Sequence, residues 1–156
     1  MKRAYNFNAG PSAMPLEVLL EAQEEFLNYQ NTGMSIIEMS HRSSEYAAMH
    51  AETKQLLREL MEIPEDYEIM FIQGGGSTQF SMTAANFHTK KYAAYVNTGV
   101  WAKKAMAEGK FYGEVYEAAT SADKNHSYIP QEFTLRPDTS YVHLTANNTI
   151  YGTEYK

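Results

Sequence analysis

The sequence of 156 residues contains no cysteine, a single tryptophan and no long hydrophobic run. Without cysteine it forms neither disulfide bridges nor thiolate metal sites, a composition that suits a reducing compartment. No apolar stretch is long enough to span a bilayer or to form the core of a signal peptide. The 13 basic residues are outnumbered by 19 acidic ones, which speaks against a nucleic-acid surface. We therefore expect a cytoplasmic protein without nucleic-acid, membrane or metal partners.

Residues 1–67 are predicted to be mainly helical. Pro15 suits the first position of a helix whose leucines recur at helical spacing, and Gly33 is a stop signal. A second helix is predicted to begin near the caps Ser43 and Ser44 and to end before Pro64. Its spacing predicts that the following apolar side chains point inward: Met49, Leu56, Leu57, Leu60 and Met61.

From residue 68 onward the pattern alternates between strand and helix. The runs "EIMFIQ", "YAAYVNTG", "EVYEAAT" and "YVHLTAN" predict strands, the first of them buried. A largely buried helix is predicted over residues 78–87, and "VWAKKAMAEGKFYG" predicts another, with Gly113 just past its end. This alternation predicts an α/β fold with a mainly parallel sheet covered by helices.

The stretch "FIQGGGSTQF" places three consecutive glycines between a predicted strand and a predicted helix. Each glycine costs roughly 0.5–1 kcal/mol relative to alanine inside a regular element, so the run indicates a tight turn or the close approach of a ligand. Free N–H groups at the start of a helix favour a phosphate there. The run matches neither the P-loop nor the dinucleotide pattern. Taken alone, it is equally consistent with a turn that binds nothing.

Three other segments favour a ligand. Trp101 follows a predicted strand, where ligands of open α/β sheets bind and where an indole can stack on a flat ring. "LTANNTIYG" ends a strand in short polar side chains that include Asn148 and Thr149, and "MSHRSSEY" pairs His41 with Arg42 as a clamp for an anion. A core aromatic, a turn and a surface salt bridge are the respective alternatives. Together the segments suggest a phosphorylated flat ring such as pyridoxal phosphate.

Five segments carry a resemblance to a known family: "FNAGPSAMP", "GMSIIEMSHRSSEY", "FIQGGGSTQF", "NTGVWAKKA" and "NNTIYGTEY". In this order and spacing they resemble the N-terminal part of the phosphoserine aminotransferase family, within the class V pyridoxal-phosphate aminotransferases. The resemblance covers essentially the whole chain. It implies part of a fold type I large domain over residues 68–156, with helices on both faces of the sheet. Residues 1–67 would be a helical segment that carries the substrate-binding His-Arg loop.

The resemblance also implies an activity and a pathway. Members of the family form homodimers and transfer an amino group between O-phospho-L-serine with 2-oxoglutarate and 3-phosphohydroxypyruvate with L-glutamate. They act in serine biosynthesis and, in many bacteria, in pyridoxine biosynthesis. By position, the residues implied to bind pyridoxal 5'-phosphate are Gly76 and Ser77 at its phosphate, Trp101 on its ring and Thr149 at its edge.

Arg42, with His41 beside it, is implied to bind the anionic groups of the substrate. The sequence departs from some members of the family at two positions. Ser77 stands where some relatives have an arginine, which puts one cationic contact to the substrate phosphate in question. Ala9 stands where some relatives have serine, which argues against a side-chain role there.

No catalytic residue is predicted within the chain. The resemblance implies a polypeptide more than twice as long, in which the Schiff-base lysine and a small C-terminal domain lie beyond Lys156. We therefore expect residues 1–156 to be an inactive piece of a transaminase whose missing part belongs to the same polypeptide. The alternative is a non-catalytic phosphate- or cofactor-binding α/β module. A nucleotide-binding domain ranks last, because we find no acidic residue placed to bind a ribose.

Overall fold

The computed structural model describes residues 3–156, which divide into two compact units at the bond between Met70 and Phe71. The first unit is helical, whereas the second contains all of the strands found among these residues. None of the helices described has both the length and the apolar character needed to cross a membrane.

The first unit contains α1 (Leu16–Glu25), α2 (Ser44–Leu60) and two short 3-10 helices, Tyr29–Asn31 and Ile36–Glu38. Helix α1 ends well before Gly33, where the sequence placed its stop. The side-chain oxygen of Asn28 accepts a hydrogen bond of 2.7 Å from the backbone N–H of Gly33. Because asparagine competes in this way with backbone acceptors, the chain leaves the helix early and turns.

Helix α2 begins where the sequence predicts. Ser43 is its N-cap, and the hydroxyl oxygen accepts a hydrogen bond of 3.2 Å from the backbone N–H of Tyr46. At the other end Arg58 donates to the carbonyl oxygens of Ile63 and Tyr67, at 3.1 and 2.9 Å. These bonds hold the segment that follows the helix against its last turn.

The prediction of an inward apolar face on α2 is wrong for three of its five residues. Leu56, Leu60 and Met61 are 48%, 82% and 66% exposed, whereas Met49 and Leu57 are half-buried. Helical spacing determines which side chains share a face, but it does not determine whether another element packs on that face.

The second unit is an α/β fold, as predicted. Its elements are α3 (Gly75–Phe87), β1 (Tyr92–Asn97), α4 (Val100–Gly109), β2 (Glu114–Thr120), a short 3-10 helix (Ala122–Lys124), β3 (Thr139–His143), β4 (Asn147–Asn148) and β5 (Thr153–Glu154). Strand β1 lies at the centre of a sheet with the order β2-β1-β3 and pairs in parallel with both neighbours. Strands β4 and β5 form a short antiparallel hairpin beside residues of the functional site.

Strand β1 is the most deeply buried element of this unit. The residues from Ala93 to Val96 are each at most 1% exposed, which agrees with the uninterrupted apolar run expected of a central parallel strand. Tyr95 and Ala93 pack with Ala105 of α4, and Phe80 of α3 joins this cluster. Both α3 and α4 therefore pack against the central strand.

The run "EIMFIQ" is not a strand, contrary to prediction. Residues 68–72 are neither helix nor strand, and Met70, Phe71 and Ile72 are 71%, 55% and 47% exposed. A strand requires ladder hydrogen bonds to a neighbouring strand, and within residues 3–156 this segment joins no sheet. An apolar run by itself cannot supply that neighbour.

Three further element predictions need correction. Helix α3 buries only Ala84, and Phe87 is 60% exposed, so the helix is not largely buried. Helix α4 ends at Gly109 rather than near Gly113. The last predicted strand stops at His143, and the chain re-pairs at Asn147 in the hairpin. In each case the extent or burial of the element depends on the residues that pack against it, which a local sequence pattern does not encode.

Candidate functional site

The glycine run forms the N-terminus of α3. Gly74 is its N-cap with a φ of 98°, and Gly75 follows with a φ of 58°. A Cβ at Gly74 would overlap the side chain of Thr78, so glycine is required there for space as well as for backbone conformation. No side chain in the described part of the chain caps this helix. The N–H groups of its first turn, where Gly76 and Ser77 lie, therefore face outward at the positive end of the helix dipole.

A pocket of about 380 Å³ opens at this helix start. It is lined by Gly76, Ser77, Phe80, Trp101 and Thr149. The four residues predicted to bind the cofactor thus lie around one cavity, although they come from three separate segments of the chain. Phe80 was missed by the sequence analysis, which assigned it only to a buried helix face. Its spacing of three residues from Ser77 was the available signal, because such residues share a helix face.

Trp101 and Thr149 form one wall of this pocket. The indole Nε1–H of Trp101 donates a hydrogen bond of 3.2 Å to the Thr149 hydroxyl oxygen. The Lys104 ammonium lies 4.6 Å from the centre of the indole ring, one helical turn further along α4. These two contacts hold a half-buried aromatic ring at the pocket with its edge fixed.

The wall belongs to the carboxyl ends of two neighbouring strands. Trp101 follows β1, and Thr149 follows β3 and the first strand of the hairpin. Because β1 and β3 run parallel, their carboxyl ends meet at one edge of the sheet. Ligands of open α/β sheets bind at this edge. The prediction that Trp101 lies there therefore agrees with the geometry.

A buried polar network supports the wall from beneath. The Asn97 side-chain oxygen accepts from the backbone N–H of Gly99 at 3.3 Å, and its amide donates to the Glu117 carboxylate at 2.6 Å. One residue on from Asn97, the buried hydroxyl of Thr98 is bonded to the buried Asn148 amide. The turn that precedes Trp101 is consequently tied to two other segments of the unit.

His143 lies behind the pocket, at the end of β3. Its imidazole stacks on Tyr95 at 5.3 Å between ring centres and meets the edge of Phe80 at 5.8 Å. Burial lowers the pKa of His143 below its ordinary value of 6.5, which favours the neutral ring. Burial and the hydrogen bond to Tyr141 raise the pKa of Tyr95, so this phenol stays protonated.

His41 and Arg42 lie together in the first unit, in the turn before α2. The Arg42 Nε–H donates to His41 Nε2 at 3.4 Å, and both side chains are exposed. A cavity of about 400 Å³ beside them is lined by His41, Tyr46, Ala47 and His50. Among residues 3–156 no hydrogen bond of the two Arg42 Nη groups is found. An anion could therefore take both of them in a bidentate pair.

Comparison with known proteins places this arrangement in a family. Residues 4–156 match the family model described as "Aminotransferase class-V". The chain is 54% identical to phosphoserine aminotransferase of Bacillus subtilis, over 100% of this chain and 44% of that protein. The solved phosphoserine aminotransferase from Bacillus circulans subsp. alkalophilus is 51% identical with a TM-score of 0.91, over 99% of this chain and 44% of that one.

A second solved structure was determined with a ligand. It is the phosphoserine aminotransferase from Trichomonas vaginalis, described as bound to PLP, which is 39% identical with a TM-score of 0.90 over 99% of this chain and 44% of that one. The chain thus spans less than half the length of the relatives it matches. The similarity of sequence and fold nevertheless extends over almost the whole chain, and we conclude that the chain belongs to the class-V aminotransferase family.

Proposed function

We propose that residues 1–156 form the cofactor cradle and part of the substrate clamp of a pyridoxal-phosphate-dependent phosphoserine aminotransferase. One observation carries the proposal: Gly76, Ser77, Trp101 and Thr149, drawn from three segments, line a single pocket. The names of the relatives support the same activity. The proposed role includes serine biosynthesis, and pyridoxine biosynthesis in bacteria that make this vitamin.

The pocket residues fit the chemical groups of pyridoxal phosphate. The first-turn N–H groups of Gly76 and Ser77, together with the Ser77 hydroxyl, suit a phosphate dianion at a helix N-terminus. The Trp101 indole offers a flat face to a pyridine ring, and Thr149 offers a hydroxyl at its edge. When bound, the cofactor supplies the carbonyl carbon that accepts the amino group and a ring that stores electrons.

The residues of this chain bind and orient rather than move protons. The helix start holds the phosphate end, and the indole restricts the tilt of the ring, so both act by positioning. The electrically neutral His143 and Tyr95 lie behind Phe80 and keep that side of the pocket free of charge. The proton-transferring lysine is proposed to come from the part of the family's length that these residues do not cover.

The substrate assignment rests on His41 and Arg42. Phosphoserine, phosphohydroxypyruvate, glutamate and 2-oxoglutarate each carry at least two anionic groups, and a guanidinium binds such groups in a bidentate manner. The Arg42 Nε is occupied by His41, which orients the remaining edge of the guanidinium. We further propose a homodimer in the cytoplasm, with residues 1–67 as the substrate-binding segment and residues 68–156 as the start of the large domain.

A chimera tests the proposal. Residues 1–156 would replace the aligned N-terminal segment of the Bacillus subtilis enzyme, and transamination of phosphoserine with 2-oxoglutarate would be measured. We expect the chimera to bind pyridoxal phosphate and to be active. Arg42→Gln should raise the KM for phosphoserine by roughly tenfold to a hundredfold, as expected for a lost charge-assisted pair. Lys110→Gln makes the same charge change at an exposed site and should leave the KM unchanged.

Two results would contradict the proposal separately. A folded chimera that binds no pyridoxal phosphate would refute the cofactor assignment. A chimera that binds the cofactor but transfers no amino group from phosphoserine would refute the substrate class, and it would favour the non-catalytic module instead.

A further inference from the structure

We propose that Asn148 is a positioning residue that holds the Trp101–Thr149 wall against a phosphorylated pyridine ring. The inference rests on the proposed function for the identity of the ring. Asn148 itself does not line the pocket. It acts through Thr149, its neighbour in the chain, and through Thr98, which lies three residues before Trp101.

Two hydrogen-bonded pairs join the same two segments. On the surface, Trp101 Nε1–H donates to Thr149 at 3.2 Å. In the interior, Asn148 Nδ2–H donates to the Thr98 hydroxyl oxygen at 3.1 Å. The exposed fractions are 0% for Thr98 and 1% for Asn148, so water cannot replace this inner bond. The buried inner pair, Asn148 and Thr98, therefore determines the positions of the outer pair, Trp101 and Thr149, which forms the pocket wall.

The Asn148 amide also closes the hairpin that carries Thr149. Its second Nδ2–H donates to the Thr153 hydroxyl oxygen at 3.2 Å, across the pairing of β4 with β5. The main-chain carbonyl oxygen of Asn148 accepts from the backbone N–H of Gly152 at 2.8 Å, which closes the same hairpin. Both amide protons are thus used, and the Thr98 hydroxyl also lies 3.4 Å from Asn148 Oδ1, so this buried site is built around a neutral amide.

Close packing transmits any shift of Asn148 to the start of α4. Gly99 has a φ of 147°, and a Cβ there would lie 2.7 Å from Tyr151 Cδ2 and 3.4 Å from Asn148 Oδ1. The hairpin turn therefore lies directly on the backbone of Gly99, the N-cap of the helix that begins with Val100 and Trp101. Because this contact has no free space, displacement of the hairpin moves the indole as well.

The experiment uses Trp101 as the only tryptophan of the 156-residue chain. Acrylamide quenching of its fluorescence would be measured without ligand, and binding of pyridoxamine 5'-phosphate would be followed by the same fluorescence. This probe keeps the ring and phosphate but has no aldehyde that could react with surface lysines. Asn148→Asp keeps the shape of the side chain but loses both donors. Asn125→Asp is the matched control at an exposed position.

We expect Asn148→Asp to increase the acrylamide quenching constant about twofold and to weaken probe binding about tenfold, because it places a carboxylate where a buried neutral amide was bonded. Asn125→Asp should change neither quantity. Far-UV circular dichroism checks that each variant is folded. If Asn148→Asp does not fold, Thr98→Val tests the inference instead. This substitution removes the hydroxyl that Asn148 contacts and keeps the shape of the threonine side chain. This variant should shift both quantities in the same direction.

A folded Asn148→Asp protein with unchanged quenching and unchanged binding would overturn the inference, and so would an unchanged Thr98→Val protein where that variant decides. Failure of the proposed function has a different signature. In that case the wild-type chain binds no pyridoxamine phosphate, whereas the ligand-free quenching comparison still tests whether Asn148 holds Trp101 in place.

Discussion

Trp101 and Thr149 are 48 positions apart in the sequence, yet the indole Nε1–H of one donates a 3.2 Å hydrogen bond to the hydroxyl of the other. The bond joins the start of α4 to the hairpin and closes one wall of the pocket. Parallel strands bring the two residues to the same edge of the sheet, and the bond fixes their separation there.

Removal of this bond should loosen the pocket wall. Thr149→Val replaces the acceptor with a methyl group of similar size, and we expect binding of pyridoxamine phosphate to weaken about threefold to tenfold, as for one lost hydrogen bond. Thr149→Ser retains the hydroxyl and should bind within about twofold of the wild type. Titration of Trp101 fluorescence measures both affinities. Unchanged affinity in Thr149→Val, or weakening by Thr149→Ser alone, would contradict a role of this hydrogen bond.

Gly74 should tolerate no side chain. Its φ of 98° is strained for other residues, and a Cβ would overlap the side chain of Thr78. We expect Gly74→Ala to lower the free energy of unfolding by about 2–3 kcal/mol. Gly76→Ala is the matched control, because a Cβ added there would meet no atom within 4 Å and the φ of Gly76 is not positive. Urea denaturation compares the two variants, and equal stabilities would contradict the steric argument.

Loss of the N-cap should destabilise α2. The Ser43 hydroxyl oxygen satisfies the backbone N–H of Tyr46, and Ser43→Ala should lower the free energy of unfolding by about 1 kcal/mol. Ser44→Ala is the control in the next position, where the hydroxyl donates to the adjacent Glu45 carboxylate and not to a backbone group. It should change stability by less than about 0.5 kcal/mol. Urea denaturation distinguishes the two, and an equal loss in both variants would contradict the assignment of Ser43 as the cap.

His143 should make stability depend on pH in a defined direction. Because burial lowers its pKa in the folded chain, the unfolded chain binds the proton more readily. Its contribution to stability is therefore fully present above its ordinary pKa of 6.5 and is lost as the pH falls below that value. His143→Phe keeps an aromatic ring against Tyr95 and should flatten the decline between about pH 6.5 and pH 5.

Urea midpoints measured across this range test the dependence on pH. His41→Asn, at an exposed position, is the control and should leave the decline as it is in the wild type. An unchanged slope in His143→Phe would show that other groups cause the decline.

The sequence predicted the elements whose signals are local. The Ser43 cap, the glycine-to-helix junction and the central strand through Tyr95 depend on side-chain to backbone bonds, backbone freedom and an uninterrupted apolar run, all of which can be read from a few neighbouring residues. The predictions failed where an element needs a partner. "EIMFIQ" has the composition of a strand but no neighbouring strand in the described chain, and Leu60 has helical spacing but is 82% exposed.

The residues of the candidate site also differ in whether the sequence could identify them. The sequence named Gly76, Ser77, Trp101 and Thr149 one by one, through helix-start chemistry, a single tryptophan and resemblance to a family. It did not place Phe80 in the pocket, and it named Asn148 only as part of a polar cluster at the end of a strand, not as a buried support of the pocket. Their roles follow only from which side chains face the same cavity or share a buried contact.

By itself, the sequence determined the α/β class, the helix N-terminus that can receive a phosphate and the residue types that surround it. These follow from covalent chemistry and from interactions between residues close together in the chain. The tertiary structure alone decided that segments near residues 76, 101 and 149 enclose one cavity and that Thr98 meets Asn148 across 50 positions. Such contacts arise when strands pair and helices pack, because burial and register bring distant residues together.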